Sequence, residues 1–592
     1  MKRVIFYICM FFSYFSTDAQ SDFPYQTPHK DILSLADASP APSIRLNYTG
    51  TKAVLLYRNA FKRIEELCEP EMRLAGMRIN PVTNIGSRVT YFTRMSILDI
   101  ESGKEVNIHG MPDKARLSNF VWSPDHSKMA FTNTVLSGVE LWVLDLATLR
   151  ASNLSAPVLN ANGGTPFIWT KSGNALLAMF VPKDRKALTE TANAIPSGPV
   201  ISENEGQKAQ NRTYQDLLSN PLDEFNFEQL MRSEINRIEL NGKFSPFLGA
   251  DMWRGLSFSP DGNYLLISRT KKPFSYLVPV GRFPIEIMVY NSDGKKITTL
   301  EDVPLTEELP KGFMAVRKGK RQIDWRADRP STLYWVEALD EGDPAMESTY
   351  RDAVYELQAP FNGDARLIVR SRDRFSGITW ARNDFAVLYE TWWNTRTVRT
   401  LFFNPSDTAV NPVLFNERNS QDRYADPGSF ATERSDAGTY LLAMDGDHVV
   451  MMGDGYTANG KYPFIDRYNI KTLEKNRIYQ AQESNRLEDL MSALDIRKGK
   501  YLNRMEFKTE YPNYYIRNIK DLSLTPVTKI ENPFKLLESV HKEVIKYKRD
   551  DGLDLSATLY LPVGYDMAKK EKLPMIMWAY PAEFKDKNAA GQ

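Results

Sequence analysis

The stretch Ser257-Phe258-Ser259-Pro260-Asp261-Gly262, followed by Tyr264-Leu265-Leu266-Ile267, contains the pattern that decides the fold. An aromatic residue precedes a polar turn, and the turn precedes a short apolar run with the composition of a β-strand. Four further copies of this aromatic-turn-strand unit occur, and their aromatic residues are Trp122, Trp169, Trp325 and Trp380. A unit that recurs along a chain predicts a repeat architecture in which each copy marks one module.

The spacing of these units indicates the kind of module. Trp122 and Trp169 are separated by about the 40–50 residues of one propeller blade, and the longer separations elsewhere indicate insertions. Short strands separated by Asp-Gly, Ser-Gly and Asn-containing turns are typical of antiparallel sheets. A β-sandwich array also has short strands, but it would not repeat this turn and aromatic together. The sequence therefore predicts an all-β propeller of about seven blades over residues 30–530.

The largest predicted insertion lies between residues 182 and 245. A stretch that contains Pro and Gly gives way there to a stretch rich in Glu, Phe and Leu that resembles a helix. Long insertions between blades often lie on one face and contact ligands, and a surface loop without such a role is the alternative.

The pattern changes after about residue 530. An Asp550-Asp551-Gly552 turn separates two alternating runs and predicts a hairpin. The run Leu573-Pro574-Met575-Ile576-Met577-Trp578-Ala579-Tyr580 is apolar at successive positions, as in a strand buried on both faces. A hairpin followed by a buried strand predicts the first strands of an α/β-hydrolase domain over residues 535–592.

Composition excludes several classes of function. With 75 Lys and Arg against 74 Asp and Glu, the formal net charge is +1, so no global field attracts nucleic acid or an anionic membrane. The sequence has no His-Glu-x-x-His motif and no glycine-rich loop entering a helix. We therefore expect no metal site and no cofactor.

The first twenty residues have the composition of a signal peptide. Lys2 and Arg3 precede an apolar run of about a dozen residues, and small and polar residues follow up to Gln20. A membrane anchor is the alternative, but the run is shorter than the roughly 20 residues needed to cross a bilayer. We expect residues 1–20 to direct export to the periplasm or the medium, and the mature protein to lack a membrane segment.

Three stretches narrow the interpretation to one family. Arg212-Thr213-Tyr214-Gln215-Asp216-Leu217-Leu218, Phe274-Ser275-Tyr276-Leu277-Val278-Pro279-Val280-Gly281-Arg282-Phe283-Pro284 and Trp578-Ala579-Tyr580-Pro581-Ala582-Glu583-Phe584 resemble the glutamyl endopeptidase branch of the prolyl oligopeptidase family. In that family a propeller caps a C-terminal α/β-hydrolase domain. The resemblance runs from about residue 30 to Gln592, and it implies that the chain ends before most of the catalytic domain.

The resemblance implies acyl transfer by a serine activated by histidine and oriented by aspartate. No Gly-x-Ser-x-Gly motif occurs in the sequence, and all five histidines precede the region where the family's catalytic domain develops. We therefore assign no triad, interpret each histidine as structural, and expect the chain alone to be inactive.

Three residues are candidates for a site. Tyr580 matches the position from which the family's tyrosine hydroxyl contributes to the oxyanion hole, although Pro581 and Ala582 stand where relatives often have two glycines. Selectivity for glutamate would require a cation for the substrate carboxylate, and Arg282 and Arg212 are the candidates.

Together these observations predict the propeller portion of an exported serine peptidase that cleaves peptides after acidic residues in its full-length form. The expected partners are peptide substrates. A non-catalytic exported propeller that binds peptides or proteins is the alternative.

Overall fold

The computed structural model describes residues 26–189, 213–482, 486–569, 571–580, 582–586 and 588–589. The predicted signal peptide lies outside these residues. The described helices are α1 (Lys30–Ala36), α2 (Ile64–Leu67) and α3 (Pro221–Met231), and 3₁₀ turns occupy Val280–Arg282 and Lys535–Leu537. None of the described helices is long and apolar enough to cross a membrane.

Strands account for most of the regular structure, and they form consecutive antiparallel sheets. Sheet 1, with a small sheet of three strands inserted into it, comprises β1 (Ser43–Leu46), β2 (Lys52–Tyr57), β3 (Met72–Leu74), β4 (Met77–Asn80), β5 (Ile85–Gly86), β6 (Arg94–Asp99) and β7 (Glu105–Asn107). Sheet 2 comprises β8 (Leu117–Trp122), β9 (Lys128–Val135), β10 (Gly138–Asp145) and β11 (Arg150–Asn153). Sheet 3 comprises β12 (Phe167–Trp169), β13 (Ala175–Phe180), β14 (Ser233–Glu239) and β15 (Phe244–Asp251).

The next three sheets repeat the same order of strands. Sheet 4 comprises β16 (Trp253–Phe258), β17 (Tyr264–Thr270), β18 (Ile285–Asn291) and β19 (Lys296–Val303). Sheet 5 comprises β20 (Arg321–Trp325), β21 (Thr332–Ala338), β22 (Asp352–Gln358) and β23 (Arg366–Ser371). Sheet 6 comprises β24 (Arg374–Arg382), β25 (Phe385–Trp392), β26 (Thr397–Phe403) and β27 (Val413–Asn419).

The last part of the chain is less regular. The region of sheet 7 comprises β28 (Ser429–Phe430), β29 (Thr432–Arg434), β30 (Tyr440–Leu442), β31 (Met444–Asp445), β32 (His448–Gly453), β33 (Tyr456–Thr457), β34 (Gly460–Lys461), β35 (Phe464–Asn469) and β36 (Lys475–Gln480). Within it, β28, β31, β32, β35 and β36 form sheet 7, whereas β29 pairs with β30 and β33 with β34. Sheet 8 comprises β37 (Leu487–Asp495), β38 (Lys500–Glu506), β39 (Asn513–Asn518) and β40 (Leu524–Pro526), and a final hairpin comprises β41 (His541–Lys548) and β42 (Asp554–Leu561).

Each sheet packs against the next through its own hydrophobic cluster, from sheets 1 and 2 to sheets 7 and 8. A further cluster joins Leu55 and Leu98 of sheet 1 to Leu502 and Tyr514 of sheet 8. Because the last sheet packs on the first, the sheets form a closed ring, which is the arrangement of a β-propeller. Burial of apolar side chains between neighbouring sheets is the main stabilising contribution to such a ring.

The described residues contain eight such sheets, one more than the seven blades expected from the sequence. The aromatic-turn unit marks sheets 2 to 6, where Trp122, Trp169, Phe258, Trp325 and Trp380 end the first strand or lie near its end. The first turn of sheet 1 has no Trp or Phe at that position, and the first strand of sheet 7 is followed by an inserted hairpin. A count based on the repeat therefore underestimates the number of sheets.

The repeated aromatic residue has a repeated structural role. The indole nitrogen of Trp169 donates to the carbonyl of Val121 in sheet 2 at 3.1 Å, and that of Trp325 donates to the carbonyl of Ser257 in sheet 4 at 3.1 Å. Each of these tryptophans thus satisfies a carbonyl on the first strand of the preceding sheet. In the turn that follows Trp122, the Ser123 hydroxyl accepts from the backbone N–H of Lys128 at 2.9 Å.

The up-and-down order of strands gives the ring two distinct faces. We call the face where each first strand ends the turn face, and the face where each first strand begins the insertion face. Connections between second and third strands return to the insertion face, and so does the chain when it leaves β40. The long insertions of sheets 1, 3 and 4, which follow β2, β13 and β17, therefore lie on the insertion face.

A hairpin formed by β29 and β30, residues 432–442, spans the turn face; we call it the crossing hairpin. Its contacts reach four sheets: Arg434 donates to the carbonyl of Pro124 in sheet 2, Lys171 of sheet 3 donates to the carbonyl of Ala437 at 3.1 Å, Thr439 donates to the carbonyl of Ala327 in sheet 5 at 2.7 Å, and Arg497 of sheet 8 pairs with Glu433 at 2.9 Å. Sheets 2, 5 and 8 are spread around the ring, so a short element that contacts all three lies across its axis.

The final hairpin confirms one prediction, and the residues after it show another to be wrong. Strands β41 and β42 pair antiparallel around the predicted turn, where Gly552 has a φ of +83°. Residues 573–580 form no strand, and Ile576 is 97% and Trp578 83% exposed. A strand buried on both faces requires neighbouring strands and a covering layer, and the described residues supply neither here.

Candidate functional site

Three insertions meet on the insertion face and share a hydrophobic core of their own. We call this group, residues 72–86, 213–231 and 272–284, the insertion cluster. Phe227 of α3 lies at its centre, with its ring 5.0 Å from that of Phe274 and 5.6 Å from that of Phe283. Helix α3 begins where Asn220 accepts hydrogen bonds from the backbone N–H groups of Leu222 and Asp223, both at 2.9 Å.

Backbone contacts hold the three insertions together. The N–H of Gly76 donates to the carbonyl of Asp216 at 2.7 Å, and the N–H of Val280 donates to the carbonyl of Ala75 at 2.8 Å. Gly76 has a φ of +80°, and a Cβ at this position would lie 2.7 Å from the Cβ of Pro279. Only glycine therefore fits the crossing of these chain segments. This part of the predicted insertion is therefore a packed unit of the insertion face. Its contact with ligands remains a prediction.

The structure places Arg282 in this cluster. Arg282 closes the 3₁₀ turn that begins at Val280, and its guanidinium lies 5.5 Å from the ring centroid of Tyr214. The hydroxyl of Tyr214 is buried and has no hydrogen-bond partner among the described residues. The second candidate arginine, Arg212, lies outside the described residues, so its predicted role remains a prediction.

A cavity of about 340 Å³ opens beside the same turn, along the first strands of sheets 2, 3 and 4. Its walls include Phe167, Met231, Trp253 and Gly164, and among the described residues that line it only Arg254 is charged. Arg254 is half-buried, and burial lowers the pKa of its guanidinium. Among the described residues its guanidinium has one hydrogen bond, a long one of 3.5 Å from Nη1 to the carbonyl of Val280. Arg254 and Arg282 therefore flank the same turn.

A second cavity, of about 560 Å³, lies on the insertion face between sheets 5 and 6. Its lining is polar and contains Arg351, Arg372, Asp373 and Arg399. Burial raises the pKa of the Asp373 carboxyl, although the arginine charges around it act in the opposite direction. Arg351 and Arg399 are paired with Asp340 at 3.0 Å and with Glu390 at 2.7 Å, respectively. Two of the three arginines in this cavity thus have carboxylate partners, whereas Arg372 is exposed and forms no ion pair among the described residues.

The third predicted site residue is far from a formed site. The side chain of Tyr580 is 81% exposed and has no hydrogen-bond partner among the described residues. The nearby Glu583 lies within 3.5 Å of Arg396, at the connection between β25 and β26. This contact brings the end of the chain to the insertion face, while the role of Tyr580 in an oxyanion hole remains a prediction.

Sequence reasoning missed Arg254, although the repeat contained a signal for it. Arg254 precedes the aromatic Phe258 by four positions, and Arg321 precedes Trp325 by the same number. Aligning the five units on their aromatic residue would have placed both arginines at the beginning of a first strand, near the insertion face.

A closed ring of antiparallel sheets with a packed cluster of insertions on one face defines a β-propeller whose two faces differ. No protein-family model matches the chain. Two relatives, from Oryza sativa subsp. japonica and Arabidopsis thaliana, each bear the name "Probable glutamyl endopeptidase, chloroplastic". The rice protein is 36% identical over 596 residues and the Arabidopsis protein 35% over 600, and both alignments cover 96% of this chain. The chain spans 63% and 62% of the lengths of these relatives.

Solved structures of peptidases also resemble the chain. Dipeptidyl peptidase 4 of Porphyromonas gingivalis has 10% sequence identity and a TM-score of 0.48, with 92% of this chain and 68% of that chain covered. A prolyl endopeptidase structure has 11% identity and a TM-score of 0.39, with 83% and 57% covered. At this level of likeness neither comparison carries a functional argument.

Proposed function

We propose that the chain is the propeller portion of an exported serine peptidase of the prolyl oligopeptidase family, in the glutamyl endopeptidase branch. The observation that carries this proposal is the identity of 36% to a relative of that name, extended over 96% of the chain. A likeness that covers every sheet of the ring and the residues after it is expected of a shared architecture, not of one shared motif.

In this proposal the propeller limits which peptides reach the chemistry. The hydrolase domain begins with β41 and β42. Because the chain leaves β40 on the insertion face, this domain is connected to the ring on that face. The crossing hairpin lies over the opposite face, so substrates approach from the side that carries the insertion cluster. Ser-His-Asp acyl transfer is supplied by residues beyond those of this sequence, and Tyr580 donates to the oxyanion in the assembled site.

Selectivity for glutamate is assigned to a cation on the insertion face. Arg282, in the third insertion, and Arg212, which lies outside the described residues, remain the candidates from the sequence. A bidentate pair between guanidinium and carboxylate is the geometry that best recognises an acidic side chain. Export is assigned to residues 1–20, with cleavage near Ala19.

The coding sequence downstream of Gln592 tests the proposal directly. We expect an in-frame continuation with Gly-x-Ser-x-Gly, then Asp, then His. The protein that includes this continuation should cleave a peptide after glutamate, and the substitution Tyr580→Phe should lower kcat by about 100- to 1,000-fold. The purified 592-residue chain should show no cleavage of the same peptide.

Two results would contradict the proposal. Cleavage by the 592-residue chain alone would place the chemistry within the ring or its final hairpin. A stop codon immediately after Gln592 would favour the alternative function, a propeller that binds peptides or proteins without cutting them.

A further inference from the structure

Three neighbouring first strands begin with an arginine at or next to their first residue. These are Arg254 in β16, Arg321 in β20 and Arg374 in β24. Because every first strand begins at the insertion face, the three arginines lie near that face on three neighbouring sheets. Their surroundings differ in charge.

Two of the three arginines are neutralised within the protein. Arg374 reaches Asp340 at 2.8 Å and Asp352 at 3.1 Å, and Arg321 pairs with the same Asp352. Both aspartate side chains are fully buried. The carboxylates therefore compensate the charge that sheets 5 and 6 bury at this level of the ring.

Arg254 has no such compensation among the residues that the structure describes. No carboxylate of the described residues lies within 4.0 Å of its guanidinium, and burial alone accounts for the lowered pKa of the group. A guanidinium carries five N–H donors, and the long contact to the carbonyl of Val280 uses only one of them. A partly desolvated cation with unused donors is costly unless an anion occupies its site.

The space in front of Arg254 is suited to such an anion. The cavity of about 340 Å³ is within the usual range for small-ligand pockets, and its walls combine apolar side chains such as Phe167 and Trp253 with polar ones such as Asn160 and Ser233. A half-buried cation binds a carboxylate more strongly than the same cation in water, because the local dielectric constant is lower.

We propose that this cavity binds a carboxylate of a peptide through Arg254. The inference rests on the proposed function for its ligand class, peptides, and deepens it by assigning acidic recognition to a residue of the ring itself. The carboxylate is either that of a glutamate side chain or that of a peptide C-terminus, since both present the same planar pair of oxygens. The contact between Arg254 and Val280 links this cavity to the turn that holds Arg282.

The test measures binding of three short peptides to the 592-residue chain by isothermal titration calorimetry. The first peptide has one internal glutamate and blocked ends, the second has glutamine in its place, and the third is the glutamine peptide with a free C-terminal carboxylate. We expect the second peptide to bind weakest. Tighter binding of the first identifies a side-chain carboxylate, and tighter binding of the third identifies a terminal one.

Substitution of the arginine separates a binding role from a structural one. We expect R254M to weaken the carboxylate-dependent binding by about 10- to 100-fold, with R254K intermediate and the glutamine peptide with blocked ends unaffected. R254M should leave the Tm unchanged or raise it, because it removes an uncompensated charge. The matched variant R374M should lower the Tm, since each of the buried aspartates Asp340 and Asp352 loses one of its two arginine partners. R237M, which removes an arginine paired with Glu239 in β14, is the control for surface charge.

The outcome overturns the proposal if folded R254M binds the carboxylate peptides as tightly as the unsubstituted chain does. It is also overturned if the unsubstituted chain does not discriminate among the three peptides. Neither result bears on cleavage, because the proposed peptidase function is tested by the residues downstream of Gln592. Binding without any cleavage by a longer protein would support this site while contradicting the proposed catalysis.

Discussion

The two faces of the ring are built in opposite ways. On the turn face, short turns and the crossing hairpin contact one another directly, and the hairpin joins sheets 2, 3, 5 and 8. On the insertion face, three insertions form a raised cluster to one side, and cavities of about 340 and 560 Å³ remain between the sheets. The contacts of the turn face thus link sheets from different parts of the ring. The insertion face instead contains cavities and charged side chains, which a ligand site requires.

The difference also shows in how charge is used. Arg434 on the turn face donates to a carbonyl and lies 5.0 Å from the ring centroid of Tyr48, so it acts as a connector. Arg321 and Arg374 on the insertion face are bound to buried aspartates, while Arg254 on the neighbouring sheet pairs with no carboxylate in the described part of the chain. The same residue type, arginine, therefore links sheets, stabilises buried aspartates or is available to a ligand, according to the partners that the fold places beside it.

The largest effect on stability is expected for the buried ion pairs of Arg321 and Arg374 on the insertion face. In D352N, Arg321 would lose its carboxylate partner, and Arg374 would keep only Asp340, which also pairs with Arg351. Removing one partner from a buried ion pair costs about 3–5 kcal/mol, so we expect the free energy of unfolding to fall by that amount. Urea denaturation monitored by tryptophan fluorescence measures this change.

The control for this substitution is D384N, which removes an exposed carboxylate paired with Arg382 at 2.7 Å. Its effect should be below about 1 kcal/mol, as for other surface pairs. Equal effects of D352N and D384N would show that the buried network does not support the insertion face.

A smaller effect is expected for the closure of the turn face. R434M removes the donor to the Pro124 carbonyl and the contact with the Tyr48 ring, and we expect a loss of about 1–3 kcal/mol. Limited proteolysis should cut the crossing hairpin sooner in R434M than in the unsubstituted chain. R497M removes an exposed pair with Glu433 in the same hairpin and a hydrogen bond to the carbonyl of Met444 at 2.7 Å, and it should raise the rate of cleavage less than R434M does. If R497M opens the hairpin as readily as R434M does, the buried contact is not what closes this face.

The sequence predicted the two faces unequally. The turn face contains the repeat itself, so Trp122-Ser123-Pro124-Asp125 and its copies were sufficient to predict a propeller of antiparallel sheets. The unit marks only five of the eight described sheets, because other turns or the crossing hairpin take its place in sheets 1, 7 and 8, so the repeat could not fix the expected number of about seven blades. Local turn chemistry is visible in a sequence because it depends on neighbouring residues.

The insertion face was predicted only in outline. The position of its largest insertion and the helix α3 could be inferred, but the packing of Phe227 on Phe274 joins segments distant in the sequence. The charge in the cavity at Arg254 depends on which arginines pair with a buried aspartate, and the sequence does not show these pairs because they form only in the folded chain. The run that ends at Tyr580 shows the same dependence, since its apolar pattern predicts a buried strand but its burial requires partners that the described residues lack.

The smallest effect is expected for the pH dependence of the turn face, through His126. The Nδ1 atom of His126 accepts from the N–H of Tyr48 at 3.0 Å, and its ring stacks on that of Trp122 with centroids 5.2 Å apart. Burial, assisted by the charge of Arg434, lowers the pKa of His126 to about 4. The folded state therefore keeps the ring neutral at a pH where the unfolded chain binds a proton, so this contribution is complete above about pH 6.5 and is lost as the pH falls towards 4. We expect about 1–2 kcal/mol over that interval.

The substitution His126→Asn isolates this contribution. Asparagine retains an acceptor and tolerates the φ of +52° at this position, but it does not titrate. The free energy of unfolding of H126N, measured by urea denaturation at several pH values, should fall less steeply between pH 6.5 and 4 than that of the unsubstituted chain. Parallel curves would mean that His126 is protonated in the folded state as easily as in the unfolded one, and that its bond to Tyr48 does not couple sheets 1 and 2. If the two curves differ only between pH 6.5 and 4, the loss of stability in this interval comes from His126 on the turn face. The carboxylates of the insertion face titrate mainly at lower pH, so they would not cause it.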